Sequence, residues 1–353
     1  MKLVVLYEEL AAYFIACVTE YSKTTGSPVL IIAKQQNKVA PFSFDLHEGL
    51  QICFREELSE DQLQAKIDDF QPEAIFSGGW GYAPFRKVCK QYKKRIPVLI
   101  GFDNWWTGDL KQQLLSLGSP FTIQRYYNCC FVPGEPQKTF AKKLGFQEEL
   151  IHTGAYCCDS DLYLKISSSL ESKRNSFPKR FLFVGRYEKV KGIDHLWDAF
   201  LAFKKDHPEW ELWCAGKGSI APREAEGIKH FGFVQPNELE ELIAQTGIFV
   251  LPSTFEPWGV VIHEMAIAGM PQISTPEVGA AARFIQEGEN GFIVPSGSTE
   301  SIKNAMYQFA EMSVEAQFEM GAKSKTIGTS YTTKHWAENL LGLFQKTRDK
   351  LRG

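Results

Sequence analysis

The sequence lacks the features that identify several large classes of protein. No apolar stretch approaches the roughly 18 residues that a membrane-spanning helix requires, and the acidic pair Glu8-Glu9 interrupts the apolar start before a signal-peptide core could form. The eight cysteines include no C-x-x-C pair, and four of them form two adjacent doublets, which suit neither a zinc ribbon nor a disulfide framework. We therefore expect a chain with reduced cysteines that works in the cytoplasm.

An excess of positive charge is also absent. The formal net charge is -3, with 39 Lys and Arg against 42 Asp and Glu, and neither half of the chain is basic, which excludes a dedicated nucleic-acid binder. Hydrophobic residues make up 44% and charged residues 23% of the chain, so disordered, collagen-like and coiled-coil proteins are excluded too. A length of 353 residues favours two domains, at roughly 150 residues for each.

The sequence does contain a regular alternation of short apolar runs and amphipathic stretches. Strands that are apolar throughout and alternate with helices are typical of parallel sheets in an α/β fold, because both faces of such a sheet are covered. The runs predicted as strands are 3–6, 29–33, 74–77, 98–100, 128–132, 181–184, 211–215, 248–251, 272–274 and 291–294. The clearest predicted helices are 58–70, 193–205, 236–245, 298–312 and 334–350.

A change in composition divides the chain into two parts. Between Asp159 and Lys179 the sequence is rich in Ser, Lys, Glu and Asn, and Pro178 stands directly before a new strand, which indicates an inter-domain linker. We therefore expect an N-terminal domain over residues 1–160, a C-terminal domain over residues 178–330 and a final amphipathic helix within residues 331–353.

The most informative segment chemically is 255–266, directly after the predicted strand 248–251. A turn with Pro and Gly, followed by a helix that begins near Gly259, places free backbone N–H groups and the positive helix end at the carboxyl edge of a parallel sheet, where anions bind. Glu256 would lie in the loop and Glu264 about one and a half turns into the helix, where both carboxylates could accept hydrogen bonds from one polyhydroxylated ligand. The alternative is that Glu256 is a charge at the helix N-terminus and Glu264 a solvated helix residue.

A second segment, 184–193, has the same strand-to-helix arrangement. Arg186 offers a planar fork of N–H donors and Lys191 a mobile positive charge, five residues apart across a turn. Such a pair suits the clamping of a diphosphate group. Two solvated cations at a helix entry are the alternative interpretation.

Five segments of the second half, taken in order, carry a family resemblance. They are Gly185-Arg186 with Lys191-Gly192, Ala215-Gly216-Lys217-Gly218, His230-Phe231-Gly232-Phe233-Val234, the pair Glu256 and Glu264, and Glu277-Val278-Gly279-Ala280-Ala281 through Asn290-Gly291-Phe292. Over about residues 180–310 they resemble the donor half of family-4 glycosyltransferases of the GT-B fold. The resemblance implies two Rossmann-like domains that face each other across a cleft, with the C-terminal helix crossing back to the N-terminal domain.

The resemblance also implies roles for individual residues. Arg186 and Lys191 would hold the donor diphosphate, Glu256 would contact the sugar hydroxyls and Glu264 the ribose hydroxyls. Cleavage of a sugar–diphosphate bond builds negative charge on the leaving oxygen and positive character at the anomeric carbon. The cations Arg186 and Lys191 and the carboxylate of Glu256 would therefore also act in catalysis. Other donor contacts would come from backbone groups of Trp258, Gly259 and Val260 and, beside the base, from Phe233 and Val234. The family needs no metal, so neither a metal nor another cofactor is expected.

The N-terminal half departs from this family in two places. The Gly-rich loop that many members have after the first strand is replaced by residues 7–13, Tyr-Glu-Glu-Leu-Ala-Ala-Tyr, so the close backbone approach of glycine is lost. After the predicted strand 98–100, Asp103 stands where many members have a histidine near the donor sugar. Asp103 is a candidate general base for an inverting reaction, a partner of the donor sugar in a retaining reaction, or a cap of the following helix.

Aromatic residues follow two predicted strands of the same half. We interpret Trp80, Tyr82 and Trp105, together with Asp103, as candidate acceptor-binding residues, because rings at the carboxyl edge of a sheet can stack on a saccharide. For each ring, packing in the core is the alternative. A basic run on a predicted helix is compatible with weak membrane contact, although a solvated helix face is favoured: Lys87, Lys90, Lys93, Lys94 and Arg95.

The expected function is that of a metal-independent glycosyltransferase. The resemblance implies transfer of a sugar from a UDP- or GDP-linked donor to a saccharide or lipid-linked saccharide, with retention of configuration, in the assembly of bacterial surface polysaccharides such as lipopolysaccharide. The alternatives are an inverting transferase with Asp103 as base, a nucleotide-sugar epimerase and a catalytically silent partner subunit. A nicotinamide-dependent dehydrogenase is disfavoured, because no G-x-G-x-x-G follows the first strand.

Overall fold

The computed structural model describes residues 1–35 and 46–353. It divides into two compact units, of which the first comprises Met1–Cys157 with Thr333–Gly353 and the second comprises Cys158–Thr332. Each unit is built around its own parallel sheet, which is the arrangement that the apolar, uninterrupted strands predict.

The first unit contains, among its described residues, a seven-stranded sheet in the order β3-β2-β1-β4-β5-β6-β7. The strands are β1 Leu3–Tyr7, β2 Val29–Ala33, β3 Leu50–Phe54, β4 Ala74–Gly78, β5 Val98–Gly101, β6 Cys129–Val132 and β7 Ile151–Thr153. The α-helices are α1 Ala12–Thr25, α2 Glu60–Phe70, α3 Ala83–Tyr92, α4 Leu110–Leu117, α5 Ser119–Thr122, α6 Glu135–Lys143 and, after the second unit, α14 Thr333–Arg352.

The second unit, described throughout, contains a six-stranded sheet in the order β10-β9-β8-β11-β12-β13. Its strands are β8 Arg180–Val184, β9 Glu211–Ala215, β10 Ile228–Gly232, β11 Ile248–Leu251, β12 Gln272–Ser274 and β13 Gly291–Ile293. Its α-helices are α7 Ser160–Ile166, α8 Ile193–Phe203, α9 Leu239–Gln245, α10 Val260–Ile267, α11 Ala281–Phe284, α12 Thr299–Glu311 and α13 Val314–Gly328.

The C-terminal helix α14 packs into the first unit through a buried face that includes Trp336, Leu340 and Phe344. Trp336 of α14 is fully buried among the rings of Phe14, Phe76 and Phe131, with ring centroids 5.7 to 6.5 Å away. Its indole N–H donates to the carbonyl oxygen of Ala155 at 2.8 Å, so burial costs no hydrogen bond. The predicted helix 334–350 therefore forms at nearly the expected bounds.

The segment between Asp159 and Lys179 is not a free linker, contrary to the sequence-based expectation. It contains α7 and a 3-10 helix, Ser167–Lys173, and both belong to the second unit. Lys173 is buried and donates to the carbonyl oxygens of Ile243 at 2.7 Å and Thr246 at 2.8 Å. The polar composition misleads here because a lysine with two backbone acceptors can be buried without leaving a donor unpaired.

Candidate functional site

The predicted donor residues lie on loops at the carboxyl end of two neighbouring strands. Arg186 and Lys191 follow β8 and Glu256 follows β11, and these two strands pair in the sheet. A backbone hydrogen bond from the Thr254 N–H to the Val190 carbonyl at 2.8 Å joins the two loops. The carboxyl edge of the sheet therefore brings together residues that are about 65 positions apart in sequence.

Gly192 allows this close approach of the loops. Its φ is +65°, in the left-handed region that favours glycine, and a Cβ at this position would lie 2.2 Å from the Pro252 carbonyl oxygen. The Lys-Gly pair of the sequence thus has a steric basis, because a larger residue would push the Lys191 loop away from the loop that carries Glu256.

Lys191 and Glu256 form an ion pair in the second unit. The Lys191 Nζ donates to Glu256 Oε2, and both side chains are only 15% exposed. Burial, together with the positive charge of the nearby Arg186, lowers the pKa of Lys191 to about 8. The structure therefore brings Arg186, Lys191 and Glu256 together. Lys191, which is predicted to bind the diphosphate, pairs with Glu256, which is predicted to bind the sugar.

The helix after this loop begins where the sequence predicts. Gly259 is the N-terminal cap of α10 with φ +83°, and Val260 is the first helical residue. The first turn of a helix has backbone N–H groups without intrahelical partners, so this end can bind an anion. Trp258 is buried through its side chain, and its backbone carbonyl accepts from the Ala280 N–H at 2.8 Å, which fixes the start of α10 against the loop after β12.

Glu264 lies in a largely buried position of α10 that differs from a solvated helix surface. Its burial raises the pKa to about 7, and the negative charge of Asp159 adds to that rise. The ring of Tyr163 from α7 lies within interaction range of the same carboxyl group. A carboxyl group that titrates near neutral pH can accept or donate a hydrogen bond to a ligand, depending on pH.

Phe233 and Val234 lie in the loop after β10, and both are partly exposed. β10 is an edge strand of the sheet, next to β9, whereas β8 and β11 are central. The roles of these two residues beside a base stay a prediction.

One sequence feature could suggest a metal site in the second unit. The chain contains an Asp-x-Asp triplet, Asp159-Ser160-Asp161, but the Asp159 carboxylate accepts from the Leu162 N–H at 3.1 Å and so caps α7. Within residues 1–35 and 46–353, no group of three or more His, Cys, Asp or Glu side chains is placed to hold a metal ion.

The first unit contains a cavity of about 750 Å³ at the carboxyl ends of β1, β4 and β5. Its walls include Asp103 and the aromatic residues Tyr7, Tyr13, Phe76, Trp80, Phe102, Phe140 and Tyr156. A cavity of this size with aromatic walls and a few polar groups is typical of a small-molecule site.

Asp103 faces this cavity and does not cap a helix. The next helix, α4, is capped by Asp109, whose carboxylate accepts from the Gln112 N–H at 2.9 Å. The Tyr156 hydroxyl donates to Asp103 Oδ2 at 3.4 Å, and burial raises the pKa of Asp103 above its ordinary value. Of the interpretations of Asp103, helix capping is therefore wrong, and a role in the cavity remains.

The structure separates the three predicted aromatic acceptor residues. Trp80 lines the cavity and packs edge-to-face on Phe102, with ring centroids 5.3 Å apart. Tyr82 and Trp105 are not among the residues that line it. The Tyr82 ring instead lies under the guanidinium of Arg55, 4.2 Å from its centroid, so a cation–π contact occupies that face.

Sequence reasoning missed the tyrosines of this cavity. Tyr7 ends β1, Tyr13 lies in the first turn of α1 and Tyr156 follows β7, and the rings of Tyr13 and Tyr156 are 5.7 Å apart. Gly78 leaves room for Tyr7, because a Cβ at this position would lie 2.4 Å from that ring. The position of Tyr7 at a strand end was a usable signal, but the pairing of the other two rings depends on tertiary contacts.

Two cations of the basic run predicted on α3 have partners within the first unit. Lys87 pairs with Glu60 at 2.5 Å, and Lys93 donates to the backbone carbonyl of Gln124, where burial lowers the pKa of Lys93. Lys90, Lys94 and Arg95 remain exposed. Only three of the five cations therefore remain without these partners for the membrane contact that was considered for this helix.

Comparisons with known proteins concern the second unit and the fold. Residues 168–326 match the family described as glycosyl transferases group 1. Spore coat protein SA of Bacillus subtilis is 29% identical over 192 residues, which are 48% of this chain and 49% of that protein. The chain thus spans about half the length of this curated relative.

Solved structures resemble the chain over almost all of its length. HepE of Anabaena, in complex with UDP and glucose, has a TM-score of 0.69 at 15% identity and covers 99% of both chains. A glycosyltransferase from Rickettsia africae has a TM-score of 0.74 at 13% identity and covers 98% of both chains. The fold is therefore GT-B, as the resemblance of the five sequence segments implied.

Among the described residues, the structure contains no helix that is long and apolar enough to cross a membrane.

Proposed function

We propose that this protein transfers a sugar from a nucleoside diphosphate sugar to a saccharide or lipid-linked saccharide, with retention of configuration and without a metal ion. The observation that carries the proposal is the cluster of Arg186, Lys191 and Glu256 beside the N-terminus of α10. The cations and the helix end suit a diphosphate, and the two carboxyl groups Glu256 and Glu264 suit the hydroxyls of a sugar and a ribose. We favour UDP over GDP because the similar HepE structure contains UDP.

In the proposed reaction, the bond between the anomeric carbon and the diphosphate oxygen breaks, and a bond from the same carbon to the acceptor oxygen forms. The electron pair of the broken bond stays on the diphosphate, whose growing negative charge Arg186 and Lys191 stabilise. In a retaining reaction the acceptor proton passes to the leaving phosphate oxygen. The setting that we propose is surface-polysaccharide assembly in the cytoplasm.

A nucleotide-binding measurement tests this proposal. Titration calorimetry with UDP, GDP, ADP and CMP should show binding of UDP or GDP, and Arg186→Ala should weaken it by about 10- to 100-fold, because a charge-assisted hydrogen bond contributes about 1.5–3 kcal/mol. Lys189→Ala is the matched control, because Lys189 is an exposed cation of the same turn. If no nucleotide binds, or if both substitutions act alike, the proposed donor site is wrong.

Asp103 supports a second candidate, an inverting transferase. The structure leaves this carboxylate facing the first-unit cavity with a raised pKa, which suits a base that takes the proton of an acceptor hydroxyl. NMR of the product's anomeric configuration separates the two reactions. For the retaining reaction, Asp103→Asn should leave measurable turnover, whereas for the inverting reaction we expect an inverted product and a loss of about 100-fold or more in kcat.

Incubation with donor alone separates the remaining alternatives. An epimerase would change the sugar without an acceptor, and a silent subunit would bind nucleotide without any turnover. A transferase should release UDP at a higher rate when an acceptor is present.

A further inference from the structure

A stripe of exposed apolar side chains crosses α4 and α5 in the first unit. The four most exposed large hydrophobic residues described in the chain are Leu110 at 71%, Leu114 at 60%, Leu117 at 79% and Phe121 at 79%. Leu110, Leu114 and Leu117 are spaced by four and three residues, which is the spacing of one face of α4, and Phe121 follows on α5. We call these four residues the apolar stripe.

The core of the first unit does not explain this stripe. α4 has no fully buried residue, and of its leucines only Leu115, which is not part of the stripe, packs against the core. Single exposed leucines are common, but a contiguous exposed group marks a surface that meets another apolar phase.

The charges around the apolar stripe have one predominant sign. From residue 110 to residue 134 the sequence contains no Asp or Glu, and its two cations are Lys111, which lines the cavity, and the exposed Arg125. The contact of Lys93 with the Gln124 carbonyl brings the end of α3, with Lys94 and Arg95, to the same segment. The nearest acid in sequence, Asp109, caps α4.

The end of α6 adds further cations to this surface. Ser119 donates to the carbonyl oxygen of Leu144 at 2.7 Å, which places the last turn of α6, with Lys142 and Lys143, beside α5. Lys142 is paired with Glu148 at 2.7 Å, whereas the Lys143 Nζ lies 5.7 Å from the centroid of the Trp106 ring. Apolar residues bordered by cations complement an anionic lipid surface.

The remaining side of α4 lines the first-unit cavity through Lys111, Gln112 and Leu115. α4 therefore carries the three leucines of the apolar stripe on one side and part of the candidate acceptor pocket on another. An acceptor whose saccharide sits in the cavity could keep its lipid in a membrane that the stripe touches.

We propose that the apolar stripe docks the first unit onto an anionic lipid bilayer, so that the acceptor is drawn from that bilayer as a lipid-linked saccharide. The acceptor part of this inference rests on the proposed function. The docking part does not, because it concerns a surface separate from the predicted nucleotide site.

Vesicle flotation of the full chain tests the docking. We expect binding to vesicles of equal parts phosphatidylglycerol and phosphatidylcholine, and much weaker binding to phosphatidylcholine alone or in high salt. The double substitution Leu114→Glu with Leu117→Glu should weaken binding to the anionic vesicles by at least about tenfold, because it places two charges where apolar contact is needed. Arg125→Glu should weaken it less.

The matched control is Leu164→Glu with Val314→Glu, which adds the same charge at exposed apolar positions of the second unit. It should leave vesicle binding unchanged apart from a small general charge effect. The proposal would be overturned if the wild-type protein does not bind anionic vesicles, or if the stripe variants bind them as strongly as the control does. If the wild type is a dimer that the stripe substitutions dissociate, a second copy of the chain covers the apolar stripe. That result would also overturn the proposal.

The readout separates this inference from the proposed function. UDP titration of each stripe variant reports folding and the donor site independently of lipid. Loss of vesicle binding with intact UDP binding supports docking, and absence of UDP binding in the wild type refutes the donor site whatever the vesicles show.

Discussion

Two ionisable residues of the second unit have pKa values that burial moves toward neutrality from opposite sides. The pKa of Lys191 is lowered to about 8, and the pKa of Glu264 is raised to about 7. Burial and then the charge of Arg186 lower the pKa of Lys191, and burial and then the charge of Asp159 raise the pKa of Glu264, against an opposite effect of Tyr163 that is smaller than that of burial. Perturbed pKa values of this kind cluster at functional sites, and here the two belong to predicted donor ligands.

This pair predicts the pH dependence of UDP affinity. Lys191 is charged below its pKa of about 8, so affinity for a diphosphate should fall as pH rises above 8. Glu264 is ionised above its pKa of about 7, so hydrogen bonding to ribose hydroxyls should weaken as pH falls below 7. Calorimetric titrations from pH 5.5 to pH 9.5 should therefore show maximal affinity between about 7 and 8.

Conservative substitutions assign each limb of that profile. Lys191→Arg keeps a charge at all these pH values and should remove the alkaline decline, whereas Glu264→Gln should remove the acid decline. A profile that stays flat in the wild type, or that neither substitution alters, would contradict these assignments.

At the level of secondary structure, sequence patterns located central strands better than edge strands. All ten predicted strands form, but β3, β7 and β10 were missed, and each of these lies at the edge of its sheet. β10 carries the exposed residues Lys229 and Phe231. An edge strand is partly solvated, so its sequence does not have the uninterrupted apolar run that identifies a buried parallel strand.

The buried Lys173 predicts a pH dependence of stability for the second unit. Burial lowers its pKa from 10.5 to about 7 in the folded chain. Between these two values the unfolded chain binds a proton that the folded chain does not, so the free energy of unfolding should increase as pH rises from 7 toward 10. Below about pH 7 this contribution should be constant.

Urea unfolding of variants at several pH values measures this effect. Lys173→Met should remove the increase above pH 7 and should lower stability at pH 9 by about 1–3 kcal/mol, because two buried carbonyl groups lose their donor. Lys204→Met is the control, since Lys204 also donates to two carbonyls, those of Pro208 and Trp210, from a partly exposed position. If Lys173→Met keeps the wild-type pH dependence, another group is responsible.

For the whole molecule, the two units differ in how much their sequences reveal. The family match covers residues 168–326, and the motifs that carry it lie on loops where glycines and charges follow strands directly. Short-range chemistry of this kind is visible in a linear sequence. The first unit's cavity is built from rings at the ends of β1, β4 and β5 and after β7, so the elements that supply its walls are distant in sequence.

By itself, the sequence determined the parallel α/β architecture and pointed to the GT-B fold, because strand periodicity and strand-to-helix turns are local properties. It also predicted Arg186, Lys191, Glu256 and Glu264 as donor residues. Only the tertiary structure decided that Lys191 pairs with Glu256, that Asp103 faces Tyr156, that Tyr82 turns to Arg55, and that four apolar side chains of α4 and α5 stay exposed. These outcomes depend on which side chains meet across sheet edges and helix faces, and such contacts are set by packing between distant segments of the chain.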